Sequence, residues 1–261
     1  MRGRTLLVLF AVAASGCAAQ RVSLPGSAGV PLPDFAAIHA EVTRACAGTR
    51  AFTAELALAG RAGDERLRGH VVAGFERPGS MRLEGVTPFG APAFILTARS
   101  GDAMLLLPRD GRVLRGARAE EILGAITGVT LAPADLMAML TGCVTASPVA
   151  TAGHLHENGW ATIDLDGGAR LFLRRQDGAW RMQAAQRDGW QFEYPAWNGR
   201  FPERVRLWSN RAGVRVDLTA TLSQIEANVD IDPAAFTVNA APNAAVLTLE
   251  ELQATGPLRG R

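Results

Sequence analysis

The dipeptide Asp-Gly recurs at 110–111, 166–167, 177–178 and 188–189, each time between runs whose apolar and polar residues alternate. Asp-Gly adopts the left-handed backbone of tight hairpin turns, and period-two alternation marks a strand with one buried face. A chain punctuated in this way folds as an antiparallel meander. Its second half is built from the runs 160–165, 170–174, 180–186, 190–194, 204–208 and 215–222. In the first half Phe52, Ala54, Leu56 and Leu58 share one face. Across a Gly63-Asp64 turn, Leu67, Gly69, Val71, Ala73 and Phe75 share the next. Runs 81–86, 94–99, 103–107 and 113–115 follow.

Between 81–86 and 94–99 the alternation breaks at Thr-Pro-Phe-Gly-Ala-Pro. Pro88 and Pro92 cannot donate ladder hydrogen bonds, and Gly90 accepts a positive φ. Phe89 therefore falls at the tip of a turn. Two readings of it stand. It folds back onto the core, as most Phe residues do, or it is an apolar finger for a membrane or an acyl chain.

Helical period appears in three places. Asp34 is placed as an N-cap for 35–46, with Phe35, Ile38, Val42 and Ala45 on one face. Residues 119–125 group Ile122 and Leu123 with Ile126, and Gly128 stops them. Pro133 suits a first helical position, with Asp135 near the positive end of the dipole. Leu136, Met139, Leu140 and Cys143 form the stripe of that third helix, and Gly142 can end it. The fold expected is mainly β (α+β), a large antiparallel sheet of about eleven strands, too many to stay flat, with three helices over its concave face. Residues 236–238 are one more short strand candidate.

The N-terminus carries Arg2 and Arg4, an apolar run over 6–14, then Ala-Ser-Gly-Cys17. A short apolar core between positive charge and small residues is an export signal, too short to span as a permanent helix. The Cys after Ala-Ser-Gly resembles the bacterial lipobox, with Ala14 where Leu is usual. That resemblance implies cleavage before Cys17 and lipidation of it, and Ala18 favours the outer membrane. Residues 1–16 are read as the signal, 17–33 as lipidated Cys17 and flexible tether, 34–240 as the folded domain and 241–261 as a tail. Formal charge is +2, and loss of Arg2 and Arg4 leaves the remainder neutral. All 27 basic residues are Arg. A neutral chain has no basic field for nucleic acid.

With Cys17 lipidated, Cys46 and Cys143 remain, each at the end of a predicted helix. An even pair in an oxidising compartment suggests a disulfide stapling the two helices, and two buried free thiols is the alternative. Chemistry-bearing motifs are missing. There is no Gly-x-Ser-x-Gly elbow, phosphate loop, dinucleotide fingerprint or Cys-x-x-Cys. His154, His156 and Glu157 are too few for a metal site, although His154 and His156 would share a strand face. His39 and His70 lack partners at an informative spacing. No enzyme, metal or cofactor is expected.

With these residues laid out, the chain resembles the LolA/LolB family of lipoprotein carriers and receptors. Thr87-Pro88-Phe89-Gly90 is similar to that family's Asn/Ser-Pro-Leu-Gly turn. Residues 120–128 and 136–142 are similar to its paired helices, and 188–194 with 201–207 to its late strands. The tail from Glu226 looks more like the carrier's than the receptor's, whereas a lipid anchor argues against a diffusible carrier. The resemblance implies a half-open antiparallel β-barrel with a helical lid over an apolar cavity. It implies capture of lipoprotein acyl chains from a periplasmic carrier and their insertion into the outer membrane. It places Pro88, Phe89 and Gly90 at the membrane. Candidates for the cavity lining are Phe52, Leu56, Phe75, Leu83, Phe94, Leu96, Met139 and Leu140, and a monomer is expected. The competing expectation is a cell-envelope sensor or interaction module on the same fold, since fold does not fix function.

Overall fold

The computed structural model describes residues 21–88, 92–144, 149–209 and 215–255. A two-residue strand β1 (Val30–Pro31) precedes helix α1 (Phe35–Ala47). The first meander is β2 (Ala51–Ala62), β3 (Glu65–Glu76), β4 (Ser80–Val86), β5 (Ile95–Arg99), β6 (Asp102–Leu107) and β7 (Arg112–Arg115). Helices α2 (Ala119–Thr127) and α3 (Pro133–Thr141) interrupt it. The second meander is β8 (Ala150–Leu155), β9 (Trp160–Leu165), β10 (Arg170–Gln176), β11 (Ala179–Arg187), β12 (Trp190–Asn198), β13 (Phe201–Ser209) and β14 (Val216–Ala227). A short β15 (Ala245–Val246) and α4 (Leu249–Thr255) close the described chain.

The fifteen strands among the described residues belong to one open sheet, in the order β1-β8-β9-β10-β11-β12-β13-β14-β2-β3-β4-β5-β6-β7-β15. Every pairing is antiparallel except β15 on β7. The long pairing of β14 with β2 joins the two meanders into one surface. Two of the four Asp-Gly turns take the backbone their composition favours, and at 110–111 and 166–167 only the glycine is left-handed. Asp177 (φ 51°) with Gly178 (φ 82°) and Asp188 (φ 51°) with Gly189 (φ 76°) are left-handed at both central positions, which matches the strand twist. The sheet curls. One apolar cluster takes Leu165 from β9 and Leu107 from β6, and the rings of Phe52 on β2 and Phe201 on β13 meet at 5.6 Å across β14.

The helices form where their end signals stand. Gly128 (φ 75°) and Gly142 (φ 90°) end α2 and α3 in the left-handed conformation that glycine adopts without penalty. Asp34 occupies the N-cap of α1, although only its carbonyl serves the helix, accepting from the Ile38 N–H.

The strand count exceeds the expected eleven. β1, β8 and β15 carry no clear alternation, and two of them are two residues long. Residues 236–238 are not a strand. A 3-10 turn (Pro233–Phe236), opened by Asp232 accepting from the Ala234 N–H, buries the Phe236 ring. The packed unit also extends beyond 34–240 on both sides. Residues 21–32, expected as tether, run over the sheet, and Leu247 and Leu252 from the expected tail are buried.

Candidate functional site

The concave face holds an apolar cavity of about 110 Å³ under α2 and α3. Five of the eight expected lining residues reach it: Leu56, Leu83, Phe94, Met139 and Leu140. Phe52, Phe75 and Leu96 do not. They are fully buried core, with the Phe52 and Phe75 rings 6.5 Å apart. Leu58, Leu207 and Leu218 also line the cavity, and the alternation of β2, β13 and β14 already pointed them inward. Val129 and Leu131 enter from the α2–α3 connection, where no periodicity could announce them.

The two lid helices are held differently, α2 by packing on α4 and on β5 and β6, α3 by specific polar and covalent contacts. Buried Tyr194 donates its hydroxyl toward the carbonyls of Met139 and Cys143, at 3.3 Å each, and burial pushes its pKa up, so it remains a donor. At the other end of α3, Arg187 pairs with Asp135 at 3.1 Å. Cys46 and Cys143 bring their sulfur atoms into bonding contact, with Cα atoms 5.9 Å apart, between the end of α1 and the end of α3. Helix α3 is thus fixed at both ends. Helix α2 is flanked by two left-handed glycines, Gly116 and Gly128, and faces the cavity with Leu123 and Ile126.

Three features share one end of the sheet. β4 runs out at Val86 toward the end that holds the β2–β3 hairpin, into the turn containing exposed Pro88. The α2–α3 connection lies there too, since a Cβ on Gly128 would touch Ala62 and Val216. So does Arg21, whose guanidinium lies 4.3 Å over the Trp208 ring. Phe89 and Gly90 of that turn, and Cys17, lie outside the described residues.

The convex face carries a polar network that the sequence did not announce. Glu193, 2 % exposed, accepts from Gln191 Nε2 and Trp208 Nε1 at 2.9 Å each, and from the Val22 backbone N–H at 3.3 Å. Arg206 pairs with Asp217 through two hydrogen bonds of 2.8 Å, which hold its pKa above the ordinary guanidinium value. Val22 and Leu24 cover Trp160, Phe172 and Ala184. His154 and His156 lie on this face as well. His156 is buried against Thr162 (2.9 Å) and Ser27 (3.3 Å), and His154 is 3.9 Å from Asp164. Among the described residues no three potential metal ligands converge, and no helix is long and apolar enough to cross a membrane.

No family model matches the chain, and no curated sequence does. Solved structures do match. A LolA superfamily protein from Nitrosomonas europaea superposes with a TM-score of 0.53 at 10% identity, over 77% of this chain and 97% of that one. A DUF1329 family protein from Desulfovibrio piger gives 0.49 at 12% identity, over 80% and 98%. A putative outer membrane lipoprotein-sorting protein domain from Vibrio parahaemolyticus gives 0.47 at 9% identity, over 77% and 94%. An open sheet curled around an apolar cavity, with helices on its concave face and that first superposition, is a LolA-like fold.

Proposed function

We propose that this domain shelters acyl chains of other lipoproteins in its concave cavity and, held at the outer membrane by a lipid on Cys17, delivers them into that membrane. The observation that carries this reading is the cavity itself. Its walls are aliphatic and aromatic, with Thr127 the sole polar side chain among them. Burying methylenes is worth about 0.8 kcal/mol each, so a free acyl chain cannot cross an aqueous space unaided and an apolar cavity offsets that cost. Ligand pockets usually measure about 300–1,000 Å³, so this one must enlarge to take a chain. Helix α2, flanked by Gly116 and Gly128 and packed on α4, is the part of the lid whose displacement would enlarge the cavity. The α2–α3 connection, the Pro88 turn and the start of the described chain at Arg21 lie at one end, which suits capture and delivery toward the membrane that holds the anchor. Phe89 is assigned the membrane-inserting tip on its sequence context.

The test mixes the chain from residue 18 onward with a periplasmic carrier loaded with labelled lipoprotein, then adds liposomes. Label should pass to this chain and on to the liposomes. Phe89→Glu should keep the first step and lose the second. No transfer from a competent carrier would overturn the reading. The small cavity volume favours one competing reading, a cell-envelope sensor with a filled core, and that protein would ignore the loaded carrier.

A further inference from the structure

A second cavity, of about 340 Å³, lies between α1 and the strands β11 and β12. It shares no lining residue with the apolar cavity and is built from different chemistry. Arg44 of α1, Arg181 of β11 and Arg200 of the β12–β13 turn line it, with Trp180 and Trp197 as flat walls. Glu41 is the single carboxylate in the lining. Arg181 lies over the Trp197 ring at 5.9 Å and Arg175 over Trp180 at 5.0 Å, so cations already hold both indoles in place.

Several guanidiniums elsewhere in the protein find carboxylates, as Arg82 does with Glu84, Arg112 with Glu251 and Arg187 with Asp135, while others, such as Arg61 and Arg174, donate singly to backbone carbonyls. Among the described residues none of Arg44, Arg181 and Arg200 finds a carboxylate. Arg181 donates only to the Gly199 carbonyl, at 3.1 Å. Three guanidiniums facing one carboxylate leave a surplus of two positive charges, in a recess large enough for a small ligand.

We propose that this groove binds a phosphate-type dianion carried on an apolar or aromatic body. The planar guanidinium fork matches phosphate oxygens in pairs, and the indole walls accept the body beside the charge. A cationic ligand is repelled, and a neutral one leaves the guanidiniums uncompensated. The anion could be the headgroup of a lipid or a soluble phosphomonoester, and the two are separable by experiment.

The experiment is calorimetric titration of the chain from residue 18 onward, which contains every described element. The probes are phenyl phosphate, dihexanoyl phosphatidic acid below its micellar concentration, dihexanoyl phosphatidylcholine and inorganic phosphate. Phenyl phosphate or phosphatidic acid should bind saturably and at least tenfold more tightly than inorganic phosphate. The tighter of the two identifies the source. Arg44 and Arg200 are both exposed, so Arg44→Gln/Arg200→Gln should melt as the parent does while losing at least tenfold in affinity. Raised salt should weaken binding. Equal binding of phosphatidylcholine, equal binding of inorganic phosphate, or undiminished affinity in the double variant would each overturn the proposal. So would the absence of heat with every probe.

Discussion

The ring of Phe94 occupies the space where a side chain on Gly85 would begin. A Cβ built on Gly85 stands 2.5 Å from Cε1 of that ring. The glycine, within β4, leaves the space that lets the Phe94 ring pack against the strand and still wall the cavity. Gly85→Ala must push the ring inward. The expected cost is about 1–3 kcal/mol by overpacking, measured as a lower urea midpoint at unchanged slope, together with weaker acyl-chain binding. Unchanged stability would show that Phe94 moves without cost.

The contact between Cys46 and Cys143 closes a sequence separation of 97 residues. A bridge over so long a loop restricts the unfolded chain, by about 4–5 kcal/mol in the chain-entropy model. Thiol counting on denatured, unreduced protein should find neither Cys46 nor Cys143 free. Reduction should lower the urea midpoint steeply, and Cys143→Ser should reproduce that loss. Two reactive thiols before reduction would leave the helices unstapled.

Glu193 fastens residues 21–32 to the convex face. Glu193→Ala leaves Trp208 Nε1, Gln191 Nε2 and the Val22 N–H without the acceptor they now share. Leaving buried donors without their acceptor costs about 1–3 kcal/mol, and Arg206 retains Asp217, so no buried charge is left unpaired. Limited proteolysis should then cut within 21–29 before the domain unfolds. Resistance equal to the parent's would mean that Val22 and Leu24 hold the segment by packing alone.

Burial lowers the pKa of His156, with the charges of His154 and Arg170 adding to the effect, and burial lowers that of His39 as well. A base with a folded pKa below its unfolded value of 6.5 takes up a proton more readily when the chain unfolds. Its burial is therefore free of penalty well above pH 6.5. Stability drains away as the pH falls below 6.5 toward the folded pKa. Melting temperature should drop between about pH 7 and 5.5, and His156→Gln should flatten part of that slope. Equal slopes would assign the acid sensitivity elsewhere.

The meander was legible because its strands obey local rules. Phe192 and Tyr194 alternate with Gln191 and Glu193, and Asp-Gly turns stand between the runs. Pro133, Gly128 and Gly142 marked helix ends for equally local reasons. What escaped was set by tertiary contact. β1 and β15 exist because backbone pairs with a neighbour, whatever the side chains. β8 needs Gly153 because Phe35 packs against it, a partner more than a hundred residues away. Gln191 and Glu193 have the pattern of a solvated face, and nothing in the Gly-, Ser- and Pro-containing segment before Asp34 signals that it will cover them. The cavity was half legible. Phe52, Phe75 and Leu96 point to the same side as Leu56 and Leu83, and alternation says which face is buried without saying where packing leaves a space.

The cavity's role is tested most directly by placing a photoreactive group midway along one acyl chain of a triacylated peptide and irradiating it with the chain from residue 18 onward. Crosslinks mapped by mass spectrometry should fall on α2 and α3, on the segment containing Phe94, and on the β2 and β14 segments containing Leu58 and Leu218. Leu58→Trp, which fills the space, should abolish them. Labelling confined to the convex face, or unaffected by Leu58→Trp, would contradict acyl-chain binding in the cavity.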